Sequence, residues 1–447
     1  MPGYKPYPKY SSDGVPMAWA KKRLRFALQM NPSKNKIRLA DDDRVSFVPM
    51  DAVGEYGGIR LSEEKELSEI GSGYTYFCDN DVVVAKITPC FENGKSALAN
   101  GLTNKTAFGT TELHVLRADR KQIDPSFLFY LTISDLFRKL GESEMYGAGG
   151  QKRVPETFIK DFRAALPSLE EQQAIARFLD FKTAQIDTLI AKKQTLLEKL
   201  AEKRTALISH AVTKGLDSQV EMKDSGVEWL GSIPLKWKET KVKFLGDLIL
   251  GLTYSPDDVV SDEGTLVLRS SNVQDGKISL SDCVYVSCDI PKKIVTKVDD
   301  ILICSRNGSR ALIGKCALIT DEVNNQAFGA FMTVLRSKHA RFLYYVLNST
   351  LFKFQSGRFL TSTINQLTTQ TLGDFEIAIP PEETQELIVN YLDKATEAID
   401  TQGKKVQSVI DRLTEYRSAL ITNAVTGKID VRNFPIPRPT AEEVSHA

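Results

Sequence analysis

Between Ile186 and Ala211 the chain repeats apolar side chains in alternating steps of four and three. The positions are Ile186, Ile190, Leu197, Leu200, Leu207 and Ala211, with Lys193 and Arg204 taking two places on the same seam. This is heptad a/d spacing. The segment from about Glu170 to Thr213 holds no proline or glycine and is rich in Leu, Ala, Lys, Glu and Gln, all good helix formers. Ser168 and Glu171, just after Pro167, have capping-box spacing. The pattern predicts one helix, roughly 60 Å long at 1.5 Å per residue. Its apolar stripe needs a partner.

The chain contains a candidate partner. The segment Leu166–Asp217 returns as Ile379–Asp430 at a constant offset of 213 residues with no gap. The second seam reads Ile399, Gly403, Val406, Ile410, Leu413, Arg417, Leu420 and Ala424. Paired landmarks include Gln172/Gln385, Leu179-Asp180/Leu392-Asp393 and Ile186-Asp187/Ile399-Asp400. The economical arrangement is an antiparallel coiled coil of the two copies. Arg204 and Arg417 share one seam position, which suits a polar layer that sets the register; an arginine snorkelling at the seam edge is the alternative. Gly403 should weaken the second helix by about 1 kcal/mol relative to alanine. A zipper between two chains would use the same seam, but it leaves unexplained why each helix follows a large insert.

Those inserts switch to a two-residue period and echo each other. WAKKRLRFAL at Trp19 answers WKETKVKFLG at Trp237, each three residues after a proline (Pro16, Pro234). Each reads as an edge strand or the entry to a sheet. DVVVAKITPCFENGKSALA (Asp81–Ala99) parallels DILICSRNGSRALIGKCALI (Asp300–Ile319), in each case strand, Gly-Lys turn, strand. FGTTELHVLR at Phe108 parallels FGAFMTVLR at Phe328, and helical stretches follow from Phe127 and Arg341. Loops GAGGQKRV (Gly147–Val154) and LTSTINQL (Leu360–Leu367) precede closing strands at Asp161 and Asp374. The fold class is therefore α+β: two similar domains with divergent loops, separated by two long helices. Equal scaffolds with unequal loops imply two related ligands rather than two identical ones.

Composition narrows the function. With 447 residues the length favours two to four domains, and 42% hydrophobic residues can fill real cores. No apolar run approaches the ~20 residues that span a bilayer. The N-terminal stretch lacks the apolar core of a signal peptide, so a cytosolic protein is expected. Cys78, Cys90, Cys283, Cys288, Cys304 and Cys316 form no CxxC pair and read as free thiols. The four histidines make no metal-ligand spacing with them, so no metal site is expected. A net charge of +1 neither supports nor excludes DNA, because only a local basic patch has to face the phosphates.

Catalytic motifs are missing. ENGKS (Glu92–Ser96) has the end of a phosphate-binding loop without its first glycine, so turn chemistry is the better reading. Gly71–Gly73 lacks the third glycine of a dinucleotide or methyl-donor fold. Asn31-Pro32 is followed by Ser33, not by the proline and aromatic of an amino-methyltransferase. Glu63-Glu64-Lys65 reads as a helical charge run rather than a nuclease core. His210 is answered by Asn423 and His114 by Thr333, so no histidine is retained between the copies. Catalysis within this chain is not expected.

These strings, in this order, resemble the DNA-specificity subunit of type I restriction-modification systems. FVPMDAV at Phe47, AKITPCFENGK at Ala85 and FGTTELHVLR at Phe108 look like one version of that family's target-recognition domain. LPSLEEQQAIARFLD at Leu166 and the run from Asp187 to Asp217 resemble its spacer helices, and KDSGVEWLGSIPLKW at Lys223 its second lead-in. The second insert fits less closely, since CSRNGSRALIGK at Cys304 replaces the TPCFENGK string. The resemblance implies an N-terminal extension (1–16), target-recognition domains at 17–165 and 237–378, spacer helix regions at 166–217 and 379–430, a lead-in at 218–236 and a flexible tail at 431–447. It also implies a pseudo-twofold, non-catalytic cytoplasmic subunit that reads a split, asymmetric duplex site, one domain per half-site. The half-sites would lie about one helical turn, roughly 34 Å, apart. Two methyltransferase subunits would dock on it and nuclease/translocase subunits would join. S-adenosylmethionine, ATP and Mg would belong to those partners, with no cofactor in this chain. The alternative reading is a coiled-coil scaffold whose inserts bind proteins.

Phosphate contacts need Lys, Arg and short polar side chains, and base contacts need groups that reach the groove edges. The DNA-binding candidates are Lys86, Thr88, Lys95, Thr110, Thr111, Lys152 and Arg153 in the first domain. In the second they are Arg306, Asn307, Ser309, Arg310, Lys315, Thr363 and Asn365.

Overall fold

In the computed structural model, which describes residues 4–12, 14–71, 73–261, 263–359 and 366–435, the first insert alternates short strands with turns before it turns helical. Its strands are β1 (Ala20–Arg23), β2 (Leu28–Met30), β3 (Arg44–Val48), β4 (Glu64–Glu66) and β5 (Thr75–Cys78). There follow β6 (Asp81–Ala85), β7 (Ser96–Leu98), β8 (Thr106–Gly109) and β9 (Leu113–Ala118). Helices α1 (Pro125–Thr132), α2 (Asp135–Ser143) and α3 (Glu156–Asp161) precede β10 (Arg163–Leu166) and the long helix α4 (Leu169–Lys214). Strands β2-β9-β6-β7 form one antiparallel sheet, and β4-β3-β8-β5 a second in which β3 and β8 run parallel. Strand β1 closes on β10, Ala20 opposite Leu166.

After the lead-in hairpin of β11 (Met222–Asp224) and β12 (Ser232–Pro234), the second insert repeats the plan. It runs through β13 (Lys238–Lys241), β14 (Asp247–Leu250), β15 (Val259–Val260), β16 (Thr265–Leu268), β17 (Val273–Gln274), β18 (Lys277–Ile278) and β19 (Tyr285–Val286). It continues with β20 (Ile301–Cys304), β21 (Cys316–Leu318), β22 (Ala327–Phe328) and β23 (Met332–Arg336). Helices α5 (Ala340–Leu347), α6 (Thr350–Phe359) and α7 (Thr369–Gly373), strand β24 (Glu376–Ile379) and the second long helix α8 (Glu382–Val425) complete it. Sheet β14-β23-β20-β21 answers β2-β9-β6-β7, and the parallel pair β16/β22 answers β3/β8. Two α/β domains of similar topology, each followed by a long helix, are what the repeat predicts; among the described residues the second domain adds β15 and the β17-β18 hairpin and has no partner on β22 that answers β5.

The helix ends follow from local chemistry. Ser168 Oγ accepts the Glu171 amide at 3.3 Å, the capping half expected from the sequence. Lys214 is followed by Gly215 at φ +80°, and Val425 by Gly427 two residues on at φ +71°, so glycine in the left-handed region stops both helices.

The chain forms two units, Met1–Lys193 with Ser408–Ala447, and Gln194–Gln407. The boundary cuts both long helices, so each unit holds one domain, the start of one helix and the end of the other. In the first unit Ile175, Phe178, Leu179 and Ile186 of α4 share a core with Leu420, Ile421 and Ala424 of α8. In the second, Ile208, Ala211 and Val212 of α4 share a core with Ile388, Val389 and Leu392 of α8. Gly403 faces Leu197 there, with Leu197 Cδ2 4.0 Å from where a Cβ would sit.

Two expectations are corrected. Glu63-Glu64-Lys65 is not helical: Glu64–Glu66 is strand β4 against β3, with Glu64 paired to Arg44 at 3.1 Å and the Lys65 amine over the Phe47 ring. The ladder and its cross-strand charges override a helix-forming composition. Nor is the expected flexible tail, 431–447, loose where it is described. Tyr7 and Val431 are buried in the first core, Phe434 packs on it, and Lys5 bridges to Asp430. Val431 and Phe434 of the expected flexible tail are thus packed, and residues 436–447 lie outside the described residues.

Candidate nucleic-acid interface

Each domain presents one face on a fixed base, and the base is built alike in both units. At the start of β6, buried Asp81 accepts from Arg117 Nε and Nη2 at 2.7 and 2.6 Å and from the Cys78 amide at 2.8 Å. Asp300 takes Arg336 (2.9 and 2.7 Å) and the Lys297 amide (2.8 Å) in the same way. The carboxylate beside it holds the Arg117 guanidinium firmly charged. Gln172 and Gln385, one turn into the long helices, donate to the carbonyls of Pro167 and Pro380 at 2.9 Å in both cases. The Tyr130 hydroxyl donates to Asp180 at 2.7 Å, and Tyr345 to Asp393 at 2.6 Å. The other long helix caps the domain's second helix. Thr422 Oγ1 accepts the first amide of α2, and Ser209 Oγ the first amide of α6, each at 2.9 Å.

The helix pairing carries a matching pair of ion contacts. Arg417 Nε lies 2.8 Å from Asp187 Oδ1, and Arg204 Nε lies 3.1 Å from Asp400 Oδ1. These are the same two positions of the repeat with their roles exchanged. The arginines therefore bond across the helix pair rather than snorkel, which is the geometry of the polar layer. Among the other seam residues Ile186, Ile399, Ile410 and Leu420 are buried, and Ile190, Leu197, Leu200, Leu207, Val406 and Leu413 are half-buried.

On this base the exposed face of the first domain is a strand extension. The Lys86 amide donates to the Glu112 carbonyl (2.9 Å), and the Lys86 carbonyl accepts from Val154 (2.8 Å). The Thr88 amide donates to Lys152 (3.0 Å), and Ile87 bridges to Arg153. The loop Gly147–Val154 is thereby pinned beside β6. Arg153 makes a two-pronged contact with Glu112 at 2.9 and 2.8 Å, which holds the Glu112 carboxyl below its ordinary range. The Thr110 hydroxyl accepts the Glu112 amide at 3.2 Å, and Thr111 is exposed. Lys86 and Thr111 line a groove of about 410 Å³ with Ser33, Lys34, Asn35, Tyr74 and Tyr76. Sequence reading missed the Asn31–Asn35 segment and these two tyrosines. Their one signal was a cluster of polar donors beside aromatics, split between segments some 40 residues apart.

In the second domain the same backbone positions carry other side chains. Ser305 replaces Lys86: its amide donates to Phe331 (3.0 Å), and its carbonyl accepts from Leu367 (2.8 Å). Arg306, bridged to Gln366, stands where Ile87 meets Arg153. Phe331 takes the place of Glu112, and its ring lies 5.1 Å from the Arg306 guanidinium. One tip thus holds its arginine with a carboxylate and the other with an aromatic ring. Arg306, Ser309 and Arg310 are exposed. Asn307 accepts the Ser309 amide (2.9 Å) and donates to Ser270 (3.0 Å), so it shapes the turn.

Lys95 and Lys315 do not join this face. The amine of Lys95 donates to the Met50 carbonyl at 3.2 Å and that of Lys315 to the Val273 carbonyl at 2.7 Å. Each staples its Gly-Lys turn to a segment more than forty residues away, and we remove both from the candidate set. Lys152 is exposed, and Thr88 is half-buried with its hydroxyl 3.4 Å from the Lys152 carbonyl. Thr363 and Asn365 lie outside the described residues.

Residues 54–199 and 234–410 match the family model described as "Type I restriction modification DNA specificity domain". Over 177 residues the chain is 39% identical to the type I restriction enzyme EcoAI specificity subunit of Escherichia coli. That stretch is 38% of this chain and 30% of the relative, so the match spans under a third of that relative's length. Similarity to the MjaVIII specificity subunit of Methanocaldococcus jannaschii is lower, 23%, but runs over 94% of this chain and 95% of that one. Among solved structures, a chain reported under "Structural basis underlying complex assembly and conformational transition of the type I R-M system" superposes with a TM-score of 0.72. It is 19% identical and covers 94% of this chain and all of its own length. The HsdS subunit from Thermoanaerobacter tengcongensis gives a TM-score of 0.50 at 20% identity, over 93% of this chain and 98% of that one.

Proposed function

We propose, for a chain that belongs to the type I restriction modification DNA specificity family, a non-catalytic role: it reads a bipartite, asymmetric duplex site with one domain per half-site. One observation carries this reading. Position for position the two faces share a backbone and differ in side chain: Lys86 against Ser305, Ile87 against Arg306, Glu112 against Phe331, Arg153 against Gln366. A fixed scaffold with exchanged tips suits two different base sequences read in one geometry. The paired helices would act as the spacer that turns a protein length into a count of unread base pairs.

The residues we assign to DNA are Lys86, Thr88, Thr110, Thr111, Lys152 and Arg153, joined by Lys34 and Asn35, and in the second domain Arg306, Ser309 and Arg310. Arg153 is held by Glu112 and so is aimed rather than free, which fits a base contact better than a loose phosphate contact. Two methyltransferase subunits would dock on the chain and nuclease/translocase subunits would join them. S-adenosylmethionine, ATP and Mg would serve those partners. We place the assembly in the cytoplasm; among the described residues no helix is long and apolar enough to cross a membrane. A protein-binding scaffold is the less favoured reading, because the family matched is one of DNA specificity.

The test is selection from a random duplex pool by the purified chain together with methyltransferase subunits. Enrichment of two sequence blocks at one fixed separation is expected. Enrichment of a single block, or none, would overturn the proposal.

A further inference from the structure

In the first unit the start of the chain fills a hollow at the base of its domain. Tyr7 is 5% exposed, its ring centroid 5.6 Å from that of Trp19. Its hydroxyl donates to Glu171 Oε1 at 2.6 Å, and Trp19 Nε1 donates to the same oxygen at 3.1 Å. Beside it Tyr4 and Phe434 stand edge-on to Phe178, at 5.5 and 4.9 Å, and Phe178 is fully buried.

The repeat builds this hollow again in the second unit. The Trp237 amide donates to Pro234 as Trp19 does to Pro16, and the Leu235 amide to Glu221 as Met17 does to Lys9. That register sets Gln219 where Tyr7 stands. Thr384, Leu387 and Tyr391 fall on Glu171, Ala174 and Phe178 by the 213-residue offset. Gln219 is exposed and fills nothing. A cavity of about 400 Å³ remains, walled by Trp237, Thr384, Leu387, Ile388, Leu216 and Leu235. Its apolar wall stands open. Leu387 is 64% exposed and Leu216 45%, where Ile429, the counterpart of Leu216, is 1% exposed. Tyr391 is 44% exposed where Phe178 is buried.

We propose that this hollow is a docking site for a tyrosine, or a similar aromatic side chain, carried on a segment of a polypeptide other than this chain. The occupant's chemistry is read from the filled copy, where a tyrosine lying between the isolated bridges at Lys5 and Tyr10 packs against the matching tryptophan. By the 213-residue offset Thr384 takes the place of Glu171, whose carboxylate accepts the phenol's hydrogen bond, so a phenol keeps a hydroxyl partner. Neither Leu360–Asn365 nor Ile436–Ala447 carries a phenylalanine, tyrosine or tryptophan, so neither supplies the ring. Lys214, Lys236, Asp217 and Glu221 around the rim balance in charge, so selection rests on the ring.

The probe is a fluorescent peptide of the sequence Tyr-Lys-Pro-Tyr-Pro-Lys-Tyr, a copy of Tyr4–Tyr10, titrated with the full chain and followed by anisotropy. Saturable binding is expected, weakened at least ~10-fold by Gln219→Tyr, which supplies the ring in cis, and by Leu387→Asp on the exposed wall. Gln219→Asn should bind as the parent does, and alanine at the peptide's central tyrosine should abolish binding. No saturation up to about 1 mM peptide, or binding untouched by both Gln219→Tyr and Leu387→Asp, overturns the proposal. Self-association of the parent that Gln219→Tyr removes would also overturn it, since a second copy would then be the occupant.

Discussion

Removing Asp187 should cost more than removing its partner Arg417, although either change breaks the same ion pair. The Arg417 side chain is 13% exposed and that of Asp187 51%. With Asp187→Ala the guanidinium stays largely buried, and its remaining partners are the Tyr56 ring at 5.3 Å and the Tyr56 carbonyl at 3.4 Å. Breaking a fully buried pair costs about 3–5 kcal/mol, and an exposed pair is worth about 0.2–1 kcal/mol. With one partner buried and one half-exposed, and a π face and a carbonyl left to the arginine, we expect about 2 kcal/mol for Asp187→Ala. Arg417→Ala leaves a carboxylate that water can reach, and should cost about 1 kcal/mol, mostly through lost pairing and stem packing. The other unit is the internal control. Arg204 and Asp400 are 23% and 28% exposed, so Arg204→Ala and Asp400→Ala should be nearly equal. A chain of two units need not unfold in one step, so the measurement is amide hydrogen exchange of the α8 segment around Arg417 in a double-mutant cycle. A larger loss for Arg417→Ala than for Asp187→Ala, or a coupling energy below about 0.3 kcal/mol, would refute the reasoning.

The double variant Arg306→Ala, Arg310→Ala should stay folded and keep the proposed methyltransferase partners while losing affinity for the proposed DNA site, with a salt dependence shallower by about one to two phosphate contacts; affinity unchanged in a gel shift would count against the second-domain assignment. Lys95→Met and Lys315→Met should leave that salt slope unaltered and lower thermal stability, by about 1 kcal/mol each, because the amines hold backbone carbonyls. His114 is buried with Nε2 2.9 Å from the Val154 carbonyl, so the neutral ring carries its proton on Nε2, and burial lowers its proton affinity. The unfolded chain then binds the extra proton first, so stability is full above pH ~6.5 and falls as the pH drops below it. His114→Thr, the residue its twin position carries at Thr333, should flatten that fall in acid melting curves.

The helices were legible because one set of side chains does two things at once there: Leu, Ala, Glu and Lys favour the helix locally and also space the seam. The strand-turn-strand hairpins were legible for a similar reason, with β-branched runs meeting at a glycine. Legibility failed where a side chain's partner lies far along the chain. Glu64 and Lys65 look helical until Arg44 and Phe47 are brought beside them by the ladder. Lys95 and Lys315 sit on turns, where a lysine is ordinarily solvated, yet their amines reach carbonyls 45 and 42 residues away. The groove of Ser33, Lys34, Tyr74 and Tyr76 exists only after the strands pair. Spacing along a sequence cannot state such a juxtaposition.

The mounting of the two domains has an evolutionary consequence. Tyr130 on Asp180 and Tyr345 on Asp393, the hydroxyls of Thr422 and Ser209 on the following helices, and Gln172 and Gln385 on their prolines make two sockets of one pattern. A domain cut between the tryptophan at its start and the proline at its end fits either socket if it brings the tyrosine and the waiting helix N-terminus. On the proposed function, crossing-over between the halves, or with a relative's gene, would change half of the recognised site in a single event and leave the other half undisturbed.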